Sequence, residues 1–384
     1  MKQYSLPFAL ALLAVSGPTS CVDHGHPRVA FASPGALGDV VRAPLTNDGR
    51  VILVTLDGVR AEDVFDGASG TLRPGTHVDG LTRPEAVMPR LYRLAATRGV
   101  ALGRERLGCG AVRTASGANV SLPGYLEIFS GRTTACRDNG CPPTERATVL
   151  DEAADTGLTA ASIGSWNVLD HAVSNGRSSA FVEVGTHRWP GPRPFADARF
   201  ERLVAAGEHT DPHPGVGWYR PDALTMPIAL QFYKDTQPAV FHVGLGDADE
   251  WGHRDDYSAY LGAIAKSDAF IGQLADTLDG MGEAGARTTV IVTTDHGRNA
   301  DFRHHEAKSS AAARTFVIAF GGRVPVQGVT CPAHETTLAD IAPTIRALVG
   351  LPADTSREAG NVIPEIVPSS SIASRGSAGG TEGR

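Results

Sequence analysis

Residues 288–297 read Thr-Thr-Val-Ile-Val-Thr-Thr-Asp-His-Gly, a run of β-branched residues that ends in a carboxylate and an imidazole. The run Thr288–Thr294 does not alternate between apolar and charged residues, which is typical of a strand that is buried on both faces of a sheet. Three further runs share this pattern, and they are Val51–Leu56, Ala239–Leu245 and Thr315–Phe320. Strands of this kind predict a parallel sheet that is covered by helices.

Helical patterns fall between these strands. Apolar residues recur every three or four positions over Tyr257–Leu278 and again over Thr337–Val349, where Thr337 and Asp340 form a capping pair. Asp268 lies on the apolar face of the first helix, where we expect a buried carboxylate that is bonded to the backbone of a loop. The alternation of strands and helices predicts an α/β fold, a three-layer αβα sandwich with a mostly parallel central sheet.

The N-terminus has the composition of an export signal. Lys2 precedes the apolar stretch Leu6–Val15, which predicts a signal peptide over residues 1–20 and a periplasmic or cell-surface protein. Cys21 follows in a sequence that loosely resembles a bacterial lipoprotein cleavage box, so membrane attachment through a lipidated Cys21 stays open. No apolar run is long enough for a transmembrane helix, and we expect none.

Composition divides the rest of the chain. Residues 21–49 are rich in Pro, Gly and small residues and predict a flexible tether, residues 50–366 predict one folded domain, and residues 367–384 predict a disordered tail. The segment Thr186–Gly217 is dense in Pro, His and Gly and predicts an insertion over one face of the sheet. Its histidines, expected to be surface residues, are His187, His209 and His213.

Charge and cysteine content narrow the function classes. The 384 residues carry 35 basic and 42 acidic side chains, a net charge of −7, and no basic run, which argues against a nucleic-acid partner. After Cys21 four cysteines remain, an even number that suits disulfides in an oxidising compartment. Cys136 and Cys141 enclose a turn-forming Arg-Asp-Asn-Gly, whereas Cys109 and Cys331 are simply the pair that is left. Zinc is the weaker alternative because a thiolate site would show two closely spaced pairs.

Three of the four strand runs end in metal-binding side chains. In an open α/β sheet, ligands bind beyond the carboxyl ends of the strands, so these positions predict a metal site. The residues are Asp57 after the first run, Asp249 and His253 after the second, and Asp295 and His296 after the third, with His304 and His305 in the following loop.

Ser121-Leu122-Pro123 supplies a further element. Pro123 suits the first turn of a helix, which places Ser121 at or next to the N-cap. Free backbone N–H groups there favour an anion, and a serine oxygen beside a metal ionises to a nucleophile. The simpler alternative is a serine that only caps a helix.

Together these motifs resemble the alkaline phosphatase superfamily, from Val51 to about Pro352. Its nucleotide pyrophosphatase/phosphodiesterase branch has a first strand that ends in Asp, a Thr or Ser before apolar-Pro, then Asp-x-x-Gly-His and Asp-His-Gly. The chain matches these elements in the same order with Asp57, Ser121-Leu122-Pro123, Asp249-Glu250-Trp251-Gly252-His253 and Asp295-His296-Gly297. The resemblance implies an alkaline-phosphatase-like catalytic domain over residues 50–366.

The resemblance also implies two divalent metal ions, with zinc expected from the mixed carboxylate and imidazole ligands. The first ion would contact Ser121, which would act as the catalytic nucleophile. The ligand set of the second ion would be completed by a histidine that follows the Asp295-His296-Gly297 motif in the chain. We expect His305 in that position, with His304 and His334 as alternatives. The implied metal ligands are Asp57, Ser121, Asp295 and His296 for the first ion, and Asp249, His253 and His305 for the second.

Two positions depart from the family patterns. Gly124 stands where the phosphodiesterase branch has an Asn that donates to the phosphoryl oxygen, so we expect substrate binding by Asn119 and by the backbone near Ser121 and Gly124. Tyr125 stands where sulfatases have an Arg, which argues against sulfatase chemistry.

The sequence therefore predicts an exported two-metal phosphohydrolase that cleaves small-molecule phosphate mono- or diesters through a phosphoseryl intermediate on Ser121. The alternatives within the superfamily are a phosphonate hydrolase and a sulfatase-like hydrolase. The alternative from another class is a catalytically silent, metal-containing binding protein.

Overall fold

The computed structural model describes residues 49–69, 81–105, 109–185, 219–305, 308–332 and 334–367. The predicted signal peptide and insertion lie outside these residues, as do the tether before residue 49, the tail after residue 367 and three predicted surface histidines, His187, His209 and His213. Within the described part of the chain, no helix is both long and apolar enough to cross a membrane.

The strands, in chain order, are β1 (Arg50–Leu56), β2 (Ala68–Ser69), β3 (Leu81–Thr82), β4 (Gly99–Leu102), β5 (Val112–Arg113), β6 (Ala160–Gly164), β7 (Phe181–Val184), β8 (Val240–Leu245), β9 (Thr288–Thr293), β10 (Arg314–Thr315), β11 (Val317–Gly321), β12 (Gly328–Val329) and β13 (Thr336–Thr337). The helices are α1 (Ala61–Phe65), α2 (Pro84–Val87), α3 (Pro89–Arg98), α4 (Ser121–Ser130), α5 (Val149–Asp155), α6 (Asp170–Val173), α7 (Asp222–Thr236), α8 (Asp247–His253), α9 (Tyr257–Gly280), α10 (Glu283–Ala286) and α11 (Ile341–Val349).

An eight-stranded sheet with the order β12-β4-β11-β9-β1-β8-β6-β7 forms the centre of the domain. Strands β9, β1, β8, β6 and β7 are parallel neighbours. Small satellite sheets have the orders β10-β5-β13 and β2-β3. The carboxyl ends of β9, β1 and β8 therefore lie side by side at one edge of the sheet.

Strand β1 shows why the sheet is covered on both faces. Its side chains alternate between two apolar clusters, with Ile52 and Val54 in one and Val51 and Leu53 in the other, and all four are buried. Residues of α7 and α9 belong to the first cluster, and residues of α4, α5 and α11 belong to the second. The predicted three-layer αβα fold with a mostly parallel sheet is confirmed.

Three of the four predicted strands match β1, β8 and β9 to within one residue at each end. The fourth, Thr315–Phe320, differs in two ways. Thr315 belongs to β10 in a satellite sheet, and β11 pairs antiparallel with both β9 and β4. The expectation of a parallel strand was wrong here because an apolar run reports burial on both faces, and helices cover this sheet whichever way a strand runs.

Both predicted helices are present. Helix α9 begins after Asp256, whose side chain accepts a hydrogen bond from the backbone N–H of Ala259. The Thr337/Asp340 capping box opens a short 3-10 turn that leads into α11. Asp268 is buried, as predicted, and accepts hydrogen bonds from the backbone N–H groups of Arg90 and Leu91. These groups belong to the first turn of α3 rather than to a loop.

The two disulfides that the cysteine count favoured are both present. Cys136 pairs with Cys141 across a five-residue separation, and Cys109 pairs with Cys331 across 222 residues. The short disulfide closes a loop that contains Asn139, which lies next to α4. The long one joins the segment before β5 to the segment before β13. Disulfides are typical of proteins in oxidising compartments.

Candidate metal centre

The site lies at the edge where β9, β1 and β8 end. Asp57 follows β1 directly, Asp295 lies two residues after β9, and α8 begins two residues after β8. Because neighbouring parallel strands present their carboxyl ends at one edge, these side chains converge although they are distant in sequence. Helix α4, which begins at Ser121, meets the same edge.

The first cluster contains Asp57, Asp295 and His296, all buried, with Ser121 against them. The Nε2 atom of His296 lies 3.2 Å from Ser121 Oγ, 3.5 Å from Asp57 Oδ1 and 3.4 Å from Asp295 Oδ2. Ser121 Oγ lies 3.4 Å from Asp57 Oδ1. A tetrahedral zinc ion with bonds of ~2.0–2.2 Å separates its ligand atoms by roughly 3.3–3.6 Å, so these four atoms have the spacing of a ligand set.

The electrostatics of this cluster also favour a bound cation. Burial, followed by repulsion from Asp295, raises the pKa of Asp57 well above its usual value. Burial, followed by repulsion from Asp249, raises the pKa of Asp295 to about 8. The buried Oδ2 atom of Asp295 has no hydrogen-bond partner among the described residues. A divalent ion would stabilise both carboxylates as anions and satisfy this orphaned oxygen.

The second cluster contains Asp249, His253 and His305. His253 Nε2 lies 3.0 Å from Asp249 Oδ2 and 3.0 Å from His305 Nε2. Burial opposes ionisation of Asp249, but the positive charge of Arg298 is the largest cause that holds its pKa well below the usual value. This arrangement offers one carboxylate and two imidazoles, a donor set that is typical of zinc sites with an open position for water or substrate.

Two histidines are oriented by their second ring nitrogen. The Nδ1 atom of His296 lies 2.8 Å from the backbone oxygen of Gly297, and Nδ1 of His305 lies 2.8 Å from the backbone oxygen of Asn119. A carbonyl oxygen only accepts, so Nδ1 carries the proton in each ring and Nε2 keeps its lone pair. In both residues Nε2 is the atom that faces its cluster.

The structure separates the three candidate late histidines. His305 joins the second cluster, whereas Nδ1 of the exposed His304 lies 2.7 Å from Asp301 Oδ2. His334 precedes β13 and, among the described residues, belongs to neither group of metal-binding side chains. Only His305 of the three therefore lies where a second ion would need it.

The two clusters are neighbours. The rings of His296 and His305 stack with their centroids 3.9 Å apart, although they belong to different clusters. Asp249 of the second cluster acts electrostatically on Asp57 and Asp295 of the first. The arrangement supplies two adjacent ligand sets with a hydroxyl inside one of them, which is the layout of a two-metal hydrolytic centre.

Helix α4 delivers Ser121 in its first position, with Val120 as the N-cap residue. Ser121 thus lies next to the cap, and its hydroxyl faces the first cluster instead of capping the helix. The backbone N–H of Leu122 is already used, because it donates to Asn139 Oδ1 over 3.0 Å.

The two predicted substrate-binding residues have different environments. The Asn119 amide bonds within the protein, since Oδ1 accepts from the Thr114 hydroxyl and Nδ2 donates to the backbone oxygen of Ser309. Gly124 packs against the first cluster, where an added Cβ would lie 2.3 Å from the backbone oxygen of Asp295. The glycine allows α4 to approach β9 closely, and Asn119 and Gly124 as substrate-binding groups stay predictions.

Three residues shape the site in ways that the sequence motifs did not predict. The Tyr125 hydroxyl donates to Asp57 Oδ2 over 3.1 Å and so orients a first-cluster carboxylate. Arg298 pairs with Asp249, and Asn139 bonds the first turn of α4. For Arg298 a signal existed, since it directly follows the Asp-His-Gly motif, whereas only folding brings Asn139 to Ser121.

Comparisons with known proteins give a family match for part of the chain. A family model described as the Metalloenzyme superfamily matches residues 222–353. The chain is 28% identical over 204 residues to a 2,3-bisphosphoglycerate-independent phosphoglycerate mutase of Synechococcus elongatus, covering 48% of this chain and 36% of that protein. The chain thus spans about a third of the length of this curated relative.

Solved structures extend the likeness to most of the chain at the level of the fold. A phosphonate monoester hydrolase from Silicibacter pomeroyi superposes with a TM-score of 0.56 at 16% identity, covering 83% of this chain and 76% of that one. A 2-O GAG sulfatase superposes with a TM-score of 0.54 at 12% identity, covering 83% and 74%. The Metalloenzyme superfamily model thus matches the part of the chain that contains Asp249, Asp295 and His296, and the solved structures share the fold, in keeping with the resemblance of the motifs to the alkaline phosphatase superfamily.

Proposed function

We propose that this protein is a two-metal phosphohydrolase that cleaves phosphate mono- or diesters with Ser121 as the nucleophile. The observation that carries the proposal is the position of Ser121 Oγ, which lies 3.2 Å from His296 Nε2 and 3.4 Å from Asp57 Oδ1. A serine hydroxyl that is enclosed by metal-binding atoms is placed to ionise and attack rather than to hold the fold.

In the first step, Ser121 Oγ would attack the phosphorus atom in line with the ester bond. The bond from phosphorus to the leaving oxygen breaks, the alcohol departs, and a phosphoseryl intermediate remains on Ser121. Two divalent ions, zinc by ligand type, would lower the pKa of the hydroxyl and neutralise charge on the phosphoryl group when bound. Asp57, Asp295 and His296 would hold the first ion, and Asp249, His253 and His305 the second.

In the second step, a water molecule attacks the phosphorus atom of phosphoserine 121 and the bond between Oγ and phosphorus breaks. Phosphate, or a phosphate monoester if the substrate was a diester, is released and the serine hydroxyl is restored. The open side of the second cluster, where His253 is partly exposed, would admit this water.

The Asn139 side chain offers a hydrogen-bond donor for a phosphoryl oxygen. Its Oδ1 accepts from the Leu122 N–H, and no hydrogen bond involving its Nδ2 is found among the described residues. This NH₂ group lies at the first turn of α4, beside the nucleophile. We propose that Nδ2 donates to a phosphoryl oxygen, the role for which Gly124 has no side chain.

Replacing Asn139 with alanine should lower kcat/KM by about 10² because one preorganised donor to the transition state is lost. Asp138→Asn in the same disulfide-closed loop is the matched control, since its Oδ1 would still accept from the Gly140 N–H and activity should persist. Steady-state kinetics with a nitrophenyl phosphate ester checks the pair. Equal activity of Asn139→Ala and Asp138→Asn would contradict a donor role for Asn139.

The ester class is tested by a panel of four substrates with one metal-loaded preparation: a nitrophenyl phosphate, its bis-ester, a phosphonate monoester and a nitrophenyl sulfate. We expect turnover of the phosphate esters, and the ratio of monoester to bis-ester rates assigns the preference. Faster turnover of the phosphonate or the sulfate would replace the proposed substrate class. Two bound metals without turnover of any of the four would favour a binding protein.

We also propose that the protein is exported and acts on small-molecule esters. The two disulfides support an oxidising compartment. The proposed signal peptide over residues 1–20 and lipidation at Cys21 rest on the sequence.

A further inference from the structure

Arg298 is a buried cation beside the second cluster, with only 1% of its surface exposed. Its Nη1 donates to Asp249 Oδ1 in a direct ion pair. Its Nε donates to the backbone oxygen of Phe302, and its Nη2 donates to that of Arg303 over 2.9 Å. One guanidinium thus ties a cluster carboxylate to the loop that leads into His305.

The loop itself is built around this guanidinium. Phe302 has a positive φ of 67° and is buried, and its ring packs edge-on against Tyr257 and Tyr260 at 5.1 and 5.0 Å. The Arg298 guanidinium lies 5.5 Å from the centre of the same ring. Helix α8 leaves room for it at Gly252, where an added Cβ would lie 2.4 Å from the guanidinium carbon.

The two carboxylate oxygens of Asp249 have different partners. Arg298 occupies Oδ1, whereas Oδ2 faces His253 Nε2 at 3.0 Å. The guanidinium therefore competes with a cation for Oδ1, which leaves Oδ2 as the less hindered ligand atom, and it offsets the negative charge of the carboxylate. With the Nε2 atoms of His253 and His305, the cluster presents one oxygen and two nitrogens.

We propose that Arg298 is a positioning residue that sets the metal preference of the second site in favour of zinc. Zinc favours few ligands with imidazole among them, whereas Mn²⁺ favours carboxylate and water oxygens in greater number. Arg298 restricts how the Asp249 carboxylate can bind a cation. Through its hydrogen bonds to the Phe302 and Arg303 carbonyls, it also holds the loop that positions His305. Without it, Asp249 becomes free to bind through both oxygens while His305 loses its support, which favours Mn²⁺ and disfavours zinc.

The inference rests on the proposed metal centre, and metal affinity tests it without any activity assay. Metal-free protein is titrated with Zn²⁺ and separately with Mn²⁺, with stoichiometry read by native mass spectrometry and dissociation constants by competition with a chelating dye. His305→Ala, which removes a second-cluster ligand, identifies the binding step that belongs to that cluster. Arg346→Gln is the matched control, because Arg346 is equally buried and paired with Glu152 away from both clusters.

In Arg298→Gln we expect zinc binding at the second site to weaken by about ten-fold or more, the size of effect seen when groups behind a metal ligand are removed. Binding of Mn²⁺ should weaken less or strengthen, and the first site should be unchanged. Arg298→Lys, which keeps the charge but cannot bridge three acceptors in one plane, should shift the zinc-to-manganese ratio in the same direction and serves if the glutamine variant does not fold.

The role of Arg298 would be overturned if Arg298→Gln and Arg346→Gln had the same ratio of zinc affinity to manganese affinity at the second site. Wild-type protein that binds no metal at all would instead overturn the proposed metal centre. The two failures are therefore distinguishable in one set of titrations.

Discussion

Ser121→Ala should lose at least about 10³-fold in kcat with a nitrophenyl phosphate ester, because removing a nucleophile leaves only binding and electrostatic stabilisation. Ser121 Oγ is the atom that lies against both His296 and Asp57. The variant should still bind two metals, since three carboxylate and imidazole ligands of the first cluster remain. Stability should fall by only about 1 kcal/mol, the net worth of an ordinary hydrogen bond.

Ser130→Ala is the matched control for this prediction. Ser130 ends the same helix, and its hydroxyl donates to the backbone oxygen of Leu126 away from the clusters. We expect near-normal turnover in this variant. Trapping the phosphoseryl intermediate by acid quench and peptide mass spectrometry should label wild-type protein at Ser121. Near-wild-type activity of Ser121→Ala would show that another group attacks the phosphorus.

Loss of either metal ion should also lower activity strongly. Asp295→Asn should remove the first ion, and His305→Ala the second, so metal content after dialysis should fall from two ions to one in each variant. Activity should fall by about 10³-fold, because each ion contributes several kcal/mol of charge stabilisation in the transition state and 1.36 kcal/mol is ten-fold in rate. Elemental analysis by mass spectrometry measures the content.

Further variants assign the ligands of each site. Asp57→Asn should behave like Asp295→Asn, whereas Asp249→Asn and His253→Ala should behave like His305→Ala. His304→Ala is the control for the last assignment, because its ring pairs with Asp301 and not with the second cluster. Full two-metal occupancy in His305→Ala together with a loss in His304→Ala would refute His305 as the ligand. Full occupancy in all the ligand variants would refute the two-site arrangement altogether.

Much of the fold could be predicted from the sequence because buried positions are occupied by apolar residues. The apolar runs of β1, β8 and β9 and the 3.6-residue period of α9 appear in the structure with nearly the predicted bounds. Strand direction is not reflected in residue type, so β11 was predicted parallel although it runs antiparallel. Strand β6, with the sequence Ala-Ala-Ser-Ile-Gly, was missed because small residues give a weak strand signal.

The sequence patterns were enough to name most of the side chains that meet at the site. The carboxylates and imidazoles follow strand ends, and parallel strands bring such ends to one edge, so the sequence pattern already placed Asp57, Asp249 and Asp295 together. The serine before apolar-Pro could likewise be placed at a helix start. Neighbouring residues determine the helix start, and the shared edge follows from the parallel arrangement of the strands.

Tertiary packing determines which loop side chains reach the site. His304 and His305 are adjacent in sequence, and the choice between them depends on a loop conformation in which Phe302 is buried and Arg298 binds two carbonyls. Asn139 reaches α4 because a disulfide closes its loop there. Side-chain direction in a loop depends on long-range packing and hydrogen bonds, and no periodicity in the sequence records these interactions.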